Sequence, residues 1–84
     1  MLLAKIHITL KDEVSDPQGM TVQGSLTRIG ISGINSIRVG KYIEVYLNTN
    51  SKNEAEKNVK LMCEELLVNP VIEHYKFKII NVEN

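Results

Sequence analysis

Apolar residues in this chain recur at every second position, then at helical spacing, and then switch back, which limits the folds open to it. Ala4, Ile6, Ile8 and Leu10 alternate with Lys5, His7, Thr9 and Lys11, the pattern of a strand with one apolar face. Asp12 and Glu13 end it. Asp16 suits a helix N-cap, and Pro17 suits the first helical position, where a missing N–H costs nothing. Val22, Leu26 and Ile29 follow at helical spacing and Gly30 suits the position after the helix, so a helix is predicted over residues 17–29. Gly19 and Gly24 weaken its propensity, and from Pro17 to Thr27 it carries no charge. A solvated helix normally has a charged outer face, so both faces of this one are expected to be covered.

Gly30 to Gly33 reads as a turn. Alternation resumes through Ile37, Val39, Ile43, Val45 and Leu47, with Gly40-Lys41 in the middle placed as a type II′ hairpin turn. A two-residue loop there would pair Val39 with Tyr42 and Ile37 with Glu44, mixing the two faces, so the register stays open. Ser51-Lys52-Asn53-Glu54 fits a capping box, and Ala55, Val59, Met62, Cys63, Leu66 and Leu67 form one apolar stripe. Pro70 stops that helix. A last strand is predicted over residues 72–82, with Tyr75, Phe77 and Ile79 on one face. The order β-α-β-β-α-β predicts an α+β, ferredoxin-like single domain over residues 1–84, with a four-stranded antiparallel sheet and two helices on one face. Its open face would carry Tyr42, Tyr46 and long Lys side chains.

Size and charge narrow the function. A chain of 84 residues buries only about 60–65% of its unfolded surface, and its one Cys offers no disulfide, so association with a second copy or a larger partner is expected. Ten basic and ten acidic residues argue against a nucleic-acid binder. No apolar run approaches the ~20 residues of a membrane span. The N-terminus lacks signal-peptide character, which points to the cytoplasm. There is no phosphate loop or dinucleotide fingerprint. His7, His74 and Cys63 are too few and too scattered for a zinc site, and Cys63 on the apolar stripe reads as a structural thiol. Tyr42 and Tyr46 suit a protein interface better than RNA stacking, because Glu44 lies between them. The residues alone predict a small, non-catalytic, partner-binding domain.

One ordered set of segments adds to this. Lys11-Asp12-Glu13-Val14-Ser15-Asp16-Pro17-Gln18-Gly19, Leu26, Arg38-Val39-Gly40-Lys41-Tyr42-Ile43-Glu44, Met62-Cys63-Glu64-Glu65-Leu66-Leu67 and Asn69-Pro70-Val71-Ile72-Glu73-His74-Tyr75 follow one another at a spacing that resembles the PurS subunits of phosphoribosylformylglycinamidine synthase. The resemblance runs from Lys5 to about Lys78. It implies a small subunit of a ligase complex of purine biosynthesis, carrying no catalytic residue and binding no cofactor or metal itself. The complex would use ATP, Mg and glutamine. The subunit would be a homodimer, or a tetramer, that bridges a glutaminase and a large synthetase subunit and assists ammonia transfer. Asp16, Pro17, Gln18, Gly19, Arg38, Lys41, Tyr42 and Glu73 are its candidate partner-contact residues. His74 departs from the Asp expected after Glu73, which weighs against an acidic role there. The alternative is a ferredoxin-like regulatory module that binds a small molecule.

Overall fold

The computed structural model describes residues 1–83. Its elements are strand β1 (Leu2–Leu10), helix α1 (Pro17–Arg28), strand β2 (Lys41–Leu47), helix α2 (Lys52–Met62) and strand β3 (Glu73–Asn81), with one π-helical turn (Cys63–Leu67) directly after α2. The sheet is antiparallel with order β2-β1-β3. β1 lies at the centre because its alternation is the most apolar: Ala4, Ile6 and Ile8 are fully buried. Register places Val45 opposite Ala4 and Ile43 opposite Ile6 on one side. Ile79 and Phe77 take the same two positions on the other. All these residues share one face.

α2 covers that face with Ala55 and Val59, packing against β1 and β3, and Cys63 at the start of the π turn continues the stripe. Ser51 caps α2 as the capping box predicts, its Oγ accepting from the Glu54 amide at 3.2 Å. The π turn closes with the Val68 amide donating to the Cys63 carbonyl at 3.1 Å. Its extra residue rotates the stripe, so Val68 turns inward and Leu66, expected on the apolar stripe, is 82% exposed.

The predicted four-stranded sheet with both helices on one face is corrected to three strands and one packed helix. Residues 31–40 form no strand, and Gly40-Lys41 is not a turn. The chain runs through Gly40 into β2, and the odd-numbered residues from Ile37 to Leu47 stay half-buried apart from Lys41. Gly40 is needed for a different reason: a Cβ there would sit 2.7 Å from the Ile8 carbonyl oxygen. No backbone amide from Ser32 to Arg38 donates to another backbone group.

α1 is capped as expected, with Pro17 at the first position and Gly30 following at φ +97°. Its only buried residue is Gly19, and it forms no interface with the sheet comparable to that of α2. The expectation that both its faces are covered is not met within one chain. α1 and the returning segment 31–40 instead form an arm. The Gln23 side-chain amide donates to the Ile34 carbonyl at 3.1 Å, tying helix to return segment.

Candidate functional site

The two ends of the arm meet at Asp16. Its Oδ1 accepts from the Gly19 amide at 2.9 Å, and its Oδ2 accepts from the Val39 amide at 2.7 Å. One carboxylate therefore caps α1 and fastens the return segment to it. These amide bonds, Gly19 first and Val39 next, hold the Asp16 carboxyl below its usual pKa against the opposing effect of burial. Gly19 lies directly under the Ile37 carbonyl oxygen, with no room for a Cβ. The Asp-Pro-Gln-Gly segment is thus a local clasp, with Gln18 left exposed beside it.

A second clasp stands next to it. Lys41 Nζ lies 3.2 Å from Glu73 Oε2, tying the first residue of β2 to the first residue of β3 across the end of β1. Glu73 Oε1 accepts from the Asn69 amide at 2.8 Å. That amide, with help from Lys41, lowers the Glu73 pKa. Asp16, Gln18, Gly40, Lys41 and Glu73 thus gather around one shallow cavity of about 210 Å³ at this end of the sheet. Four of the candidate residues, Asp16, Gln18, Lys41 and Glu73, line this cavity, and Pro17 and Gly19 flank them in the Asp-Pro-Gln-Gly clasp.

The other two candidates turn away from it. Arg38 Nη2 turns away to donate to the Lys11 carbonyl at 2.9 Å. Tyr42, one residue from Lys41 in a strand, points to the opposite face of the sheet. There its ring lies 4.8 Å from that of His7, and its hydroxyl donates to Glu44 Oε2 at 2.9 Å. Burial and the Glu44 carboxylate push the Tyr42 pKa up. The open face also carries Lys5, His74, Lys76, Lys78 and Tyr46. Sequence reasoning missed Lys11 and Asn69 as organising residues. Lys11 Nζ donates to the Pro70 carbonyl at 2.8 Å, and the Asn69 side chain accepts from the Val71 amide at 3.1 Å. Only the Asn-Pro dipeptide signalled this turn in advance.

The cluster holds chain segments together rather than presenting reactive groups. Both carboxylates are engaged by backbone amides or by Lys41. Cys63 is buried in the core, and desolvation pushes its thiol pKa up, away from the reactive thiolate. Among the described residues no three His, Cys, Asp or Glu side chains are placed to hold a metal ion. No helix of the described residues is long and apolar enough to cross a membrane.

Residues 3–81 match the family model PurS, phosphoribosylformylglycinamidine (FGAM) synthase. The chain belongs to the PurS family. PurS relatives include the phosphoribosylformylglycinamidine synthase subunit of Synechocystis, 40% identical over 94% of this chain and 79% of that one. Among solved structures, PurS of Methanocaldococcus jannaschii, a subunit of formylglycinamide ribonucleotide amidotransferase in the purine biosynthetic pathway, superimposes with a TM-score of 0.88. It is 31% identical and covers 99% of this chain and 100% of its own. A chain in the structure of PurLQS from Thermotoga maritima matches with a TM-score of 0.83 and 32% identity, over 95% of this chain and 99% of its own. This chain is therefore a PurS subunit of FGAM synthase, in purine biosynthesis.

Proposed function

We propose that this PurS subunit performs no chemistry itself and acts as a homodimeric bridge between the glutaminase and the ATP-dependent synthetase of its complex, assisting ammonia transfer between them. The observation that carries this reading is the near full-length match to a chain within the PurLQS structure of Thermotoga maritima. The surface supports it. The clasped end of the sheet offers exposed Pro17, Gln18 and Lys41 as a docking edge, held in place by Asp16, Gly19 and Glu73. Arg38 and Tyr42 border that edge on either side of β2's first residue. The Asp16 and Glu73 carboxylates and the Cys63 thiol serve the fold, which supports a reading in which the partner subunits handle ATP, Mg and glutamine. The test is reconstitution. The glutaminase and synthetase subunits are assayed for glutamine-dependent product formation with and without this protein. The expected result is a strong dependence on it, and equal rates without it would sink the proposal.

A further inference from the structure

The open face of the sheet, opposite α2, carries a cationic cluster that the clasps do not use. Side chains alternate along each strand, so register sets Lys5 beside Lys78, His7 beside Lys76, and Thr9 beside His74 on this face. The chain as a whole has no net charge. This face does: Lys5, Lys76 and Lys78 stand against the single carboxylate of Glu44. Glu44 belongs to β2, which β1 separates from β3, and its Oε2 already accepts from the Tyr42 hydroxyl at 2.9 Å. The cations therefore gather along β1 and β3.

Near the end of β1 this face is concave. His7, Thr9, His74 and Lys76, with Tyr75 between the last two, line a cavity of about 400 Å³. No carboxylate lines it, unlike the cavity at the clasps. All four polar side chains are exposed. Among the described residues, none of the four is hydrogen-bonded or ion-paired to another group of the chain. Asp16, Lys41 and Glu73 are spent on the fold; these four are not.

Their chemistry decides what they would receive. Lys76 brings an ammonium, Thr9 a hydroxyl, and His7 and His74 ring N–H groups, so the cavity is walled by hydrogen-bond donors. A carboxylate has two oxygens to offer them. A phosphate monoester has three acceptor oxygens and a charge of about −1.5 to −2. Lys5 and Lys78, in the next row, add attraction at longer range, and the concave wall concentrates it. The cavity falls within the roughly 300–1,000 Å³ of small-molecule sites, so it has room for the organic part of an ester as well. The Tyr42 ring, 4.8 Å from that of His7, continues the wall towards β2.

We propose that this end of the open face binds a phosphate monoester of a small metabolite. Lys76, Thr9, His7 and His74 hold the phosphate group, and Tyr42 lies beside the organic part. The site is separate from the clasped docking edge and does not depend on the bridging reading.

Nuclear magnetic resonance of the isotope-labelled full chain tests this. It is titrated with AMP, with inorganic phosphate, and with sodium chloride at matched ionic strength. AMP is expected to saturate, with shifts confined to Tyr42 and the residues lining the cavity. Inorganic phosphate should move the same lining residues with weaker affinity, and chloride should give no saturation. Lys76→Gln and Thr9→Val alter exposed side chains, so both should keep the circular-dichroism signal of the wild type while binding AMP more weakly. For Lys76→Gln the loss should be about tenfold, the usual effect of one hydrogen bond between charged groups. Lys57→Gln removes the same charge from the exposed side of α2, across the sheet, and should change affinity by less than about twofold because salt screens that distance. AMP shifts that stay linear with concentration, or equal losses in Lys57→Gln and Lys76→Gln, would overturn the site. Inorganic phosphate binding as tightly as AMP would overturn the assignment to a monoester.

Discussion

Asp16 does two jobs with one carboxylate, which makes its charge worth measuring. Because amide bonds lower its pKa and that of Glu73, the stability these groups confer is complete above the ordinary carboxylate pKa of about 4. It is lost as pH falls through their lower folded values. Acid titration of thermal stability should therefore show a decline below about pH 4 that is shallower in Asp16→Asn and Glu73→Gln. Asp16→Ala removes the cap and the Val39 tie together, and should lower Tm at neutral pH by about 5 °C. Gly19→Ala attacks the same clasp from the other side. Its new methyl meets the Ile37 carbonyl, backbone that cannot step aside cheaply, and the expected loss is about 1–3 kcal/mol by chemical denaturation.

Strand β2 shows where elements were legible in the sequence and where they were not. β1, both helices, their caps and β3 followed from period and capping chemistry, because each is set by contacts nearby in the chain or by one strongly apolar face. The hairpin did not. Its Gly-Lys dipeptide fits turn chemistry, but the odd positions from Ile37 to Leu47 keep one phase straight across it. The mixed faces that a two-residue loop would have produced were the signal that the chain does not turn there. Gly40 serves close approach instead, and Gly40→Ala should cost about 1–3 kcal/mol by forcing its Cβ against the Ile8 carbonyl oxygen and loosening the β1–β2 ladder. The candidate site was legible as a set of residues but not as a mechanism. Asp16, Gln18, Lys41 and Glu73 do converge, yet their roles as clasps depend on the Val39 and Asn69 amides. Side-chain patterns carry no record of those amides. The rotated stripe after Cys63 was hidden for a similar reason, since α-helical spacing contains no signal for one inserted residue.

At the scale of the molecule, a thin core and a projecting arm have one common consequence for stability. A single chain leaves Ile43, Val45 and Leu47 half covered and spreads over 6207 Å², so a partner that buried that surface would add to the free energy of the folded state. If a second copy buries it, unfolding is coupled to dissociation and Tm depends on concentration. Each tenfold rise in protein then adds about 1.4 kcal/mol per dimer, or about 3–5 °C for two chains melting together. The double variant V22E/I29E, which puts charges at two exposed apolar positions of the arm, should melt at a lower temperature than the wild type and with no dependence on concentration. Ile6→Ala supplies the contrast. It removes a fully buried side chain at the centre of the sheet and should cost about 2–5 kcal/mol per chain. Its concentration dependence should survive, because the lost contacts lie within one chain. Calorimetry from about 5 to 500 µM separates the two behaviours. A wild-type Tm that stays constant across that range would show that the arm's exposed surface is not what the second copy covers.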